Sequence, residues 1–115
     1  MNNVTYQPTL CVGADVHLDE IVLRAVDKAL GHEVVDRFRV TNNLPGAQEA
    51  TATIAAAATE LGYTRIEIAC EATGMLWIPF HRYLSTAPPL QPFELELVCF
   101  NPKLVAKFKD GLVLR

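Results

Sequence analysis

An unbroken apolar run, TLCVGA, is followed closely by two segments, EIVLRAVD and EVVDRFRV, in which side chains alternate in character. Alternation at every second residue sends one set of side chains to a core and the other to water, the pattern of an antiparallel strand. In the first segment Ile21, Leu23 and Ala25 alternate with Val22, Arg24 and Val26. In the second, Val34, Asp36, Phe38 and Val40 alternate with Val35, Arg37 and Arg39. Only HLDE and a turn at Gly31 separate the runs, so tight hairpins must join them. This part of the chain reads as a three-stranded meander.

After NNLPG the period changes. Ala47, Ala50, Ile54, Ala57 and Leu61 recur at helical spacing until Gly62, and the Asn and Pro before them are helix-start residues. TRIEIACE then reads as a fourth strand, GMLWIPFHRYLS as a second helix with Pro79 near its start, and FELELVCF as a fifth strand. NPKLVAKFKDGL follows as a third helix, with Asn101 as cap and Pro102 at the first helical position. The order β-β-β-α-β-α-β-α joins a meander to right-handed crossovers, which lay strands four and five parallel to the first. That is an α/β, ribonuclease-H-like, mixed five-stranded sheet with helices packed on it, and 115 residues suffice for one such domain, residues 1–115.

Composition excludes several classes. Half the residues are apolar and a fifth are charged, which excludes a disordered chain. No apolar stretch reaches the roughly 20 residues of a membrane-spanning helix, and MNNVTYQPT lacks the pattern of a secretory signal, so no membrane partner and a cytoplasmic location are expected. Cys11, Cys70 and Cys99 sit in apolar runs without metal-ligand spacing and read as reduced core residues. A net charge of -3 argues against a free-standing nucleic-acid binder. The charge is uneven, however. Acidic side chains outnumber basic ones two to one up to Phe100, whereas Lys103, Lys107, Lys109 and Arg115 face only Asp110. The three lysines are candidates for phosphate contact, and Lys103 and Lys107 share a helix face.

The acidic residues carry the chemistry. Asp15 ends the first strand and Glu71 closes the fourth, and sites in open α/β sheets form beyond the carboxyl ends of parallel strands. If those strands are neighbours, the two ends lie about 5 Å apart. Cys11, Gly13 and Asp15 share one strand face, as do Glu67, Ala69 and Glu71, and the small Gly13 and Ala69 leave room there. Two carboxylates at one rim repel unless a cation lies between them. Oxygen ligands suit Mg2+ or Mn2+, and phosphoryl transfer follows from that choice. His17, His32 and His81 do not converge in the sequence, and Trp77 and Phe80 read as core.

Four stretches, VGADVHLDEIVLRAVD, FRVTNNLPG, IEIACEATGMLWIPFHRYL and LVCFNPKLVAKF, together resemble the amino-terminal part of IS110/IS116/IS902-type transposases over nearly the whole chain. CEATGMLWIPF, similar to a Glu-Ala-Thr-Gly-x-x-Trp stretch, is the most specific. The resemblance implies a RuvC-like nuclease domain of DEDD type, in which four acidic residues bind Mg2+ during DNA strand cleavage and joining. By motif match Asp15 is the first of them and Glu71 the second. The other two belong to a later stretch that this sequence does not contain, and Asp110 does not match it. The chain then reads as a transposase domain truncated before those aspartates and inert in isolation. DNA, a structured guide RNA and a homo-oligomer are the partners that the resemblance implies.

Two other classes fit the same topology. Actin-like kinases also open with an Asp at the end of the first strand, but their first turn uses glycine and a hydroxyl residue to approach ATP phosphate, and DVHLDE has neither. A non-catalytic interaction module on the ribonuclease-H fold is the third reading.

Overall fold

A computed structural model of the chain describes residues 7–72 and 74–100. The meander comprises β1 (Thr9–Val16), β2 (Glu20–Asp27) and β3 (Glu33–Thr41), each antiparallel to the one before. The helix α1 (Leu44–Leu61) leads to β4 (Arg65–Ala72), and α2 (Ile78–Thr86) with a short 3-10 turn at Pro88–Leu90 leads to β5 (Glu94–Phe100). β4 pairs parallel with β1, and β5 pairs parallel with β4. The result is one mixed sheet in the order β3-β2-β1-β4-β5. The third helix expected after β5 lies outside the described residues.

The core is built on one face of this sheet. Leu10, Val12, Ala14 and Val16 of β1 point there with Ile21, Leu23 and Ala25 of β2 and Ile66, Ile68 and Cys70 of β4. Ala47, Ala50, Ile54 and Ala58 of α1 close over them, joined by Phe80 and Leu84 of α2 and by Leu90. Burying an Ile or Leu side chain contributes roughly 1.5–3 kcal/mol, so this single layer of contacts is the main stabilising term. Small residues in α1 let its axis approach the sheet closely. Thr51, buried in the same stripe, donates its hydroxyl to the Gln48 carbonyl.

Local chemistry sets the element ends. Asn43 adopts an extended conformation and its side-chain oxygen accepts from Gly46 N–H at 2.8 Å, capping α1. Gly62, at φ 82°, ends it in the left-handed conformation that favours glycine. The buried stripe of α1 runs through Thr51 and Ala58 rather than through Ala57 and Leu61, and Leu61 is exposed. α2 starts four residues later than GMLWIPFHRYLS suggests. Gly74 has φ 63°, and Pro79 fits only the first turn of a helix, so the helix begins at Ile78 and Trp77 becomes its cap.

β3 is an edge strand of which only Val40 is buried. Its exposed Asp36, Arg37 and Arg39 discourage pairing with another chain. Cys11 corrects the expectation of a core thiol: it lies half-buried on the face opposite the helices, while Cys70 is buried in the core and the Cys99 side chain lies outside the described residues. Among the described residues no helix is long and apolar enough to cross a membrane.

Candidate functional site

Strand parity and the parallel register act together on the acidic residues. Cys11 pairs with Glu67, Gly13 with Ala69 and Asp15 with Glu71, all on the face turned away from α1 and α2. Adjacent strands lie about 4.8 Å apart, so Asp15 and Glu71 start from neighbouring backbone positions at the carboxyl ends of β1 and β4. Beside them the floor is low. Gly13 is exposed, and a Cβ added to it would meet nothing within 4 Å.

Asp15 has a second neighbour. His17, two residues on and on the same face, places Nε2 at 3.1 Å from Asp15 Oδ2, with both side chains about half exposed. The turn that carries His17 is fixed from two directions. His17 N–H donates to the Glu20 carbonyl at 2.8 Å, and Asn42 Nδ2 donates to the His17 carbonyl at 2.7 Å. Asn42 N–H in turn donates to the Asp19 carbonyl. The β1–β2 hairpin is thereby locked to the junction between β3 and α1. Beyond His17 a shallow cleft of about 710 Å³ opens, walled also by Arg39, Asp19 and Glu49. The sequence gives half of this away, since residues i and i+2 of a strand share a face; the role of Asn42 has no local signal, because NN reads only as a helix start.

The remaining acidic residue of the β1–β4 face is already engaged. Glu67 accepts from Lys28 Nζ at 2.8 Å and from Arg65 Nε at 3.2 Å, and these two cations, Lys28 first, hold its carboxyl below the usual range. Arg65 also donates to Glu94 and Glu96, clamping β4 to β5. Burial and then the Glu67 charge push the Cys11 thiol up to about 11. This end of the face is a structural ion network.

Among the described residues no group of three or more His, Cys, Asp or Glu side chains is placed to hold a metal ion. Asp15 and Glu71 are backbone neighbours in the parallel register of β1 and β4. Lys103, Lys107 and Lys109 lie outside the described residues. His32 is remote in sequence from the pair, and His81 stacks edge-on against Trp77 with ring centroids 5.4 Å apart. Phe80 is in the core and Trp77 is packed against it.

No protein-family model matches the sequence, and no curated protein does. Solved structures do resemble it. A Ppx/GppA family member from Aquifex aeolicus aligns with TM-score 0.47 and 8% identity, over 82% of this chain and 35% of that one. The type II variant of the Aquifex aeolicus Ppx/GppA phosphatase gives the same score and identity over 82% and 36%. A further Aquifex aeolicus PPX-GPPA structure scores 0.41 at 7% identity, over 79% of this chain and 36% of that one. The chain spans about a third of the length of these proteins. These findings overturn the transposase resemblance: the structures similar to the chain are Ppx/GppA proteins, and no transposase family model matches. The transposase activity, the DNA transposition and the DEDD assignment that came with the resemblance are withdrawn with it.

Proposed function

We propose that this chain handles a phosphoryl group through a divalent cation held between Asp15 and Glu71, in the manner of actin-like phosphotransfer and phosphohydrolase enzymes. The observation that carries the reading is the direct register of the two residues on neighbouring parallel strands, on the face turned away from α1 and α2, at the end of the sheet where sites form. The meander and parallel crossovers of the mixed five-stranded sheet support this reading.

The donor set fits the ion. Mg2+ takes one or two protein carboxylates and completes its shell with water and phosphate oxygens, so two carboxylates beside an open floor are sufficient. When bound, such a cation polarises a phosphoryl oxygen and offsets charge on the attacked phosphorus. Asp15 and Glu71 bind, His17 fixes the orientation of Asp15, and Asn42 holds the turn that carries His17. Glu67 contributes nothing to the cation, because Lys28 and Arg65 already neutralise it.

The turn after Asp15 is not built to cradle a nucleotide phosphate with its backbone. It lacks glycine, and the His17 N–H is used by the Glu20 carbonyl. The cation must therefore carry the phosphate, and the substrate class is a small phosphate ester or anhydride. Calorimetric titration with pyrophosphate tests this. Binding that requires Mg2+, disappears with EDTA and is lost in Asp15→Asn is expected; binding indifferent to Mg2+ or to that substitution would overturn the reading.

A further inference from the structure

A groove of about 350 Å³ opens at the end of the sheet where Asp15 and Glu71 lie. Its walls include Leu18 from the β1–β2 turn, Leu44 from the start of α1, Met75 and Leu76 from the segment after β4, and Phe80 and Tyr83 from α2. Exposed apolar side chains are ordinarily scattered singly over a surface. Here three of the five large ones exposed among the described residues, Leu18, Leu44 and Met75, border one groove. Asn42 and Asn43 at its rim are engaged in holding the backbone: Asn42 Nδ2 donates to the His17 carbonyl, and Asn43 Oδ1 accepts from Gly46 N–H. The groove therefore offers a ligand chiefly aliphatic and ring surface, on walls fixed in advance. We propose that it takes an aryl group esterified to the phosphate, so that the substrate class is a phosphate monoester of an apolar alcohol or phenol.

This inference rests on the cation site proposed above and narrows its substrate. Continuity with that site is the first argument for the occupant. The segments that follow the two carboxylate-bearing strands also supply the groove, Leu18 soon after Asp15 and Met75 soon after Glu71. Leu18 lines the cleft beside His17 as well, and His17 Nε2 lies 3.1 Å from Asp15. Asp15 faces away from the helices and the groove lies on their side, so a ligand that uses both passes over the end of β1. The three residue steps from Asp15 to Leu18 span at most about 10 Å, within the length of a two-ring ester. Size is the second argument. A stable protein partner engages roughly 20–30 residues a side, whereas ten line this groove. Pockets for small organic molecules start at roughly 300 Å³, and this one is near that bound.

The chain has two methionines, Met1 and Met75, so carbon-13 labelling of the methionine methyl groups gives one resonance from the groove, identified by its loss in Met75→Leu. With Mg2+ present, 2-naphthyl phosphate should shift that resonance. It should also bind at least about tenfold more tightly than methyl phosphate, which carries the same charge without the rings. Leu18→Asn, a substitution at an exposed position, should reduce this preference to less than about threefold. Equal affinities for the two esters, or a Met75 resonance that 2-naphthyl phosphate leaves in place, would overturn the inference, while Mg2+-dependent binding of pyrophosphate would leave the cation reading standing. A Met75 shift that persists undiminished in EDTA would mean that the groove takes apolar molecules independently of the cation, and would refute the proposal too. Should neither ester nor pyrophosphate bind with Mg2+, the cation reading itself has failed and this inference falls with it.

Discussion

Replacing Gly46 by alanine should damage this fold far more than an extra methyl group suggests. Gly46 is the third residue of α1, and a Cβ built there would sit 1.8 Å from the Thr41 carbonyl oxygen and within 3 Å of the Thr41 carbon and nitrogen. All three are backbone atoms, so no side chain can rotate away. Ordinary contact distances demand that α1 or the end of β3 retreat by roughly 1.5 Å or more. Overpacking against a fixed backbone costs about 3 kcal/mol. Moving the first turn also strains the bond from Gly46 N–H to Asn43 Oδ1, a cap worth about 1 kcal/mol. Alanine's better helix propensity returns at most about 1 kcal/mol. The net expectation is a loss of about 3 kcal/mol, equivalent to about 12–24 °C in melting temperature for a domain of this size. Gly13→Ala is the control, since an added Cβ meets nothing there, and it should fall within about 1 kcal/mol of wild type. Urea unfolding followed by circular dichroism gives both numbers, and matching midpoints for the two variants would refute the close-approach argument.

The other predictions concern single interactions. Asp27 is buried; its carboxylate accepts from Leu30 N–H and from Tyr63 O–H, each at 2.7 Å, and these bonds hold its pKa below the usual value. A lowered pKa means that the carboxylate stabilises the fold above the ordinary Asp value near 3.9 and that this stability fades as pH falls through the lowered one. Tyr63→Phe should therefore have a lower urea midpoint than wild type near neutral pH, and the gap should close as the pH falls through the carboxylate range; a gap that does not change with pH would remove the bond from the account. Arg65→Met should lower the melting temperature at low salt by freeing Glu67, Glu94 and Glu96 to repel one another, and high salt should narrow the gap; a salt-independent loss would point to packing instead. The Cys11 thiol, raised to about 11, should label ever faster well above pH 9, and Glu67→Gln should move that rise downward. Gly62→Ala, at φ 82°, should cost about 1 kcal/mol in urea unfolding.

The strands were readable because their signal is local. The alternation of Ile21, Leu23 and Ala25 and the apolar run before Asp15 fix parity, and parity with the right-handed crossover rule is enough to set Asp15 beside Glu71. Where tertiary contacts decide, the sequence misleads. Leu61 continues the helical period of α1 but is exposed, and Ala58 takes the last buried place. Cys11 reads as core because it stands in an apolar run, but strand parity puts it on the face turned away from α1 and α2, where it is half-buried. Pro79 blurred the start of α2 in sequence, and the φ of Gly74 fixes it in space. In the site itself the Asp15–His17 contact follows from strand geometry, whereas the Asn42 latch joins segments far apart in the chain and has no sequence signature. The transposase resemblance failed for a different reason: short motifs such as GADVH and CEATG follow the strand ends of this topology, and unrelated chemistries share it.

Cation sharing between Asp15 and Glu71 can be measured directly by counting bound Mn2+ with electron paramagnetic resonance across a mutant cycle. The account predicts one site in the wild type, and an equal loss of affinity in Asp15→Asn, Glu71→Gln and the double variant, because two ligands of one ion act as a unit. Additive losses in the double variant, or Mn2+ affinity untouched by either substitution, would contradict it.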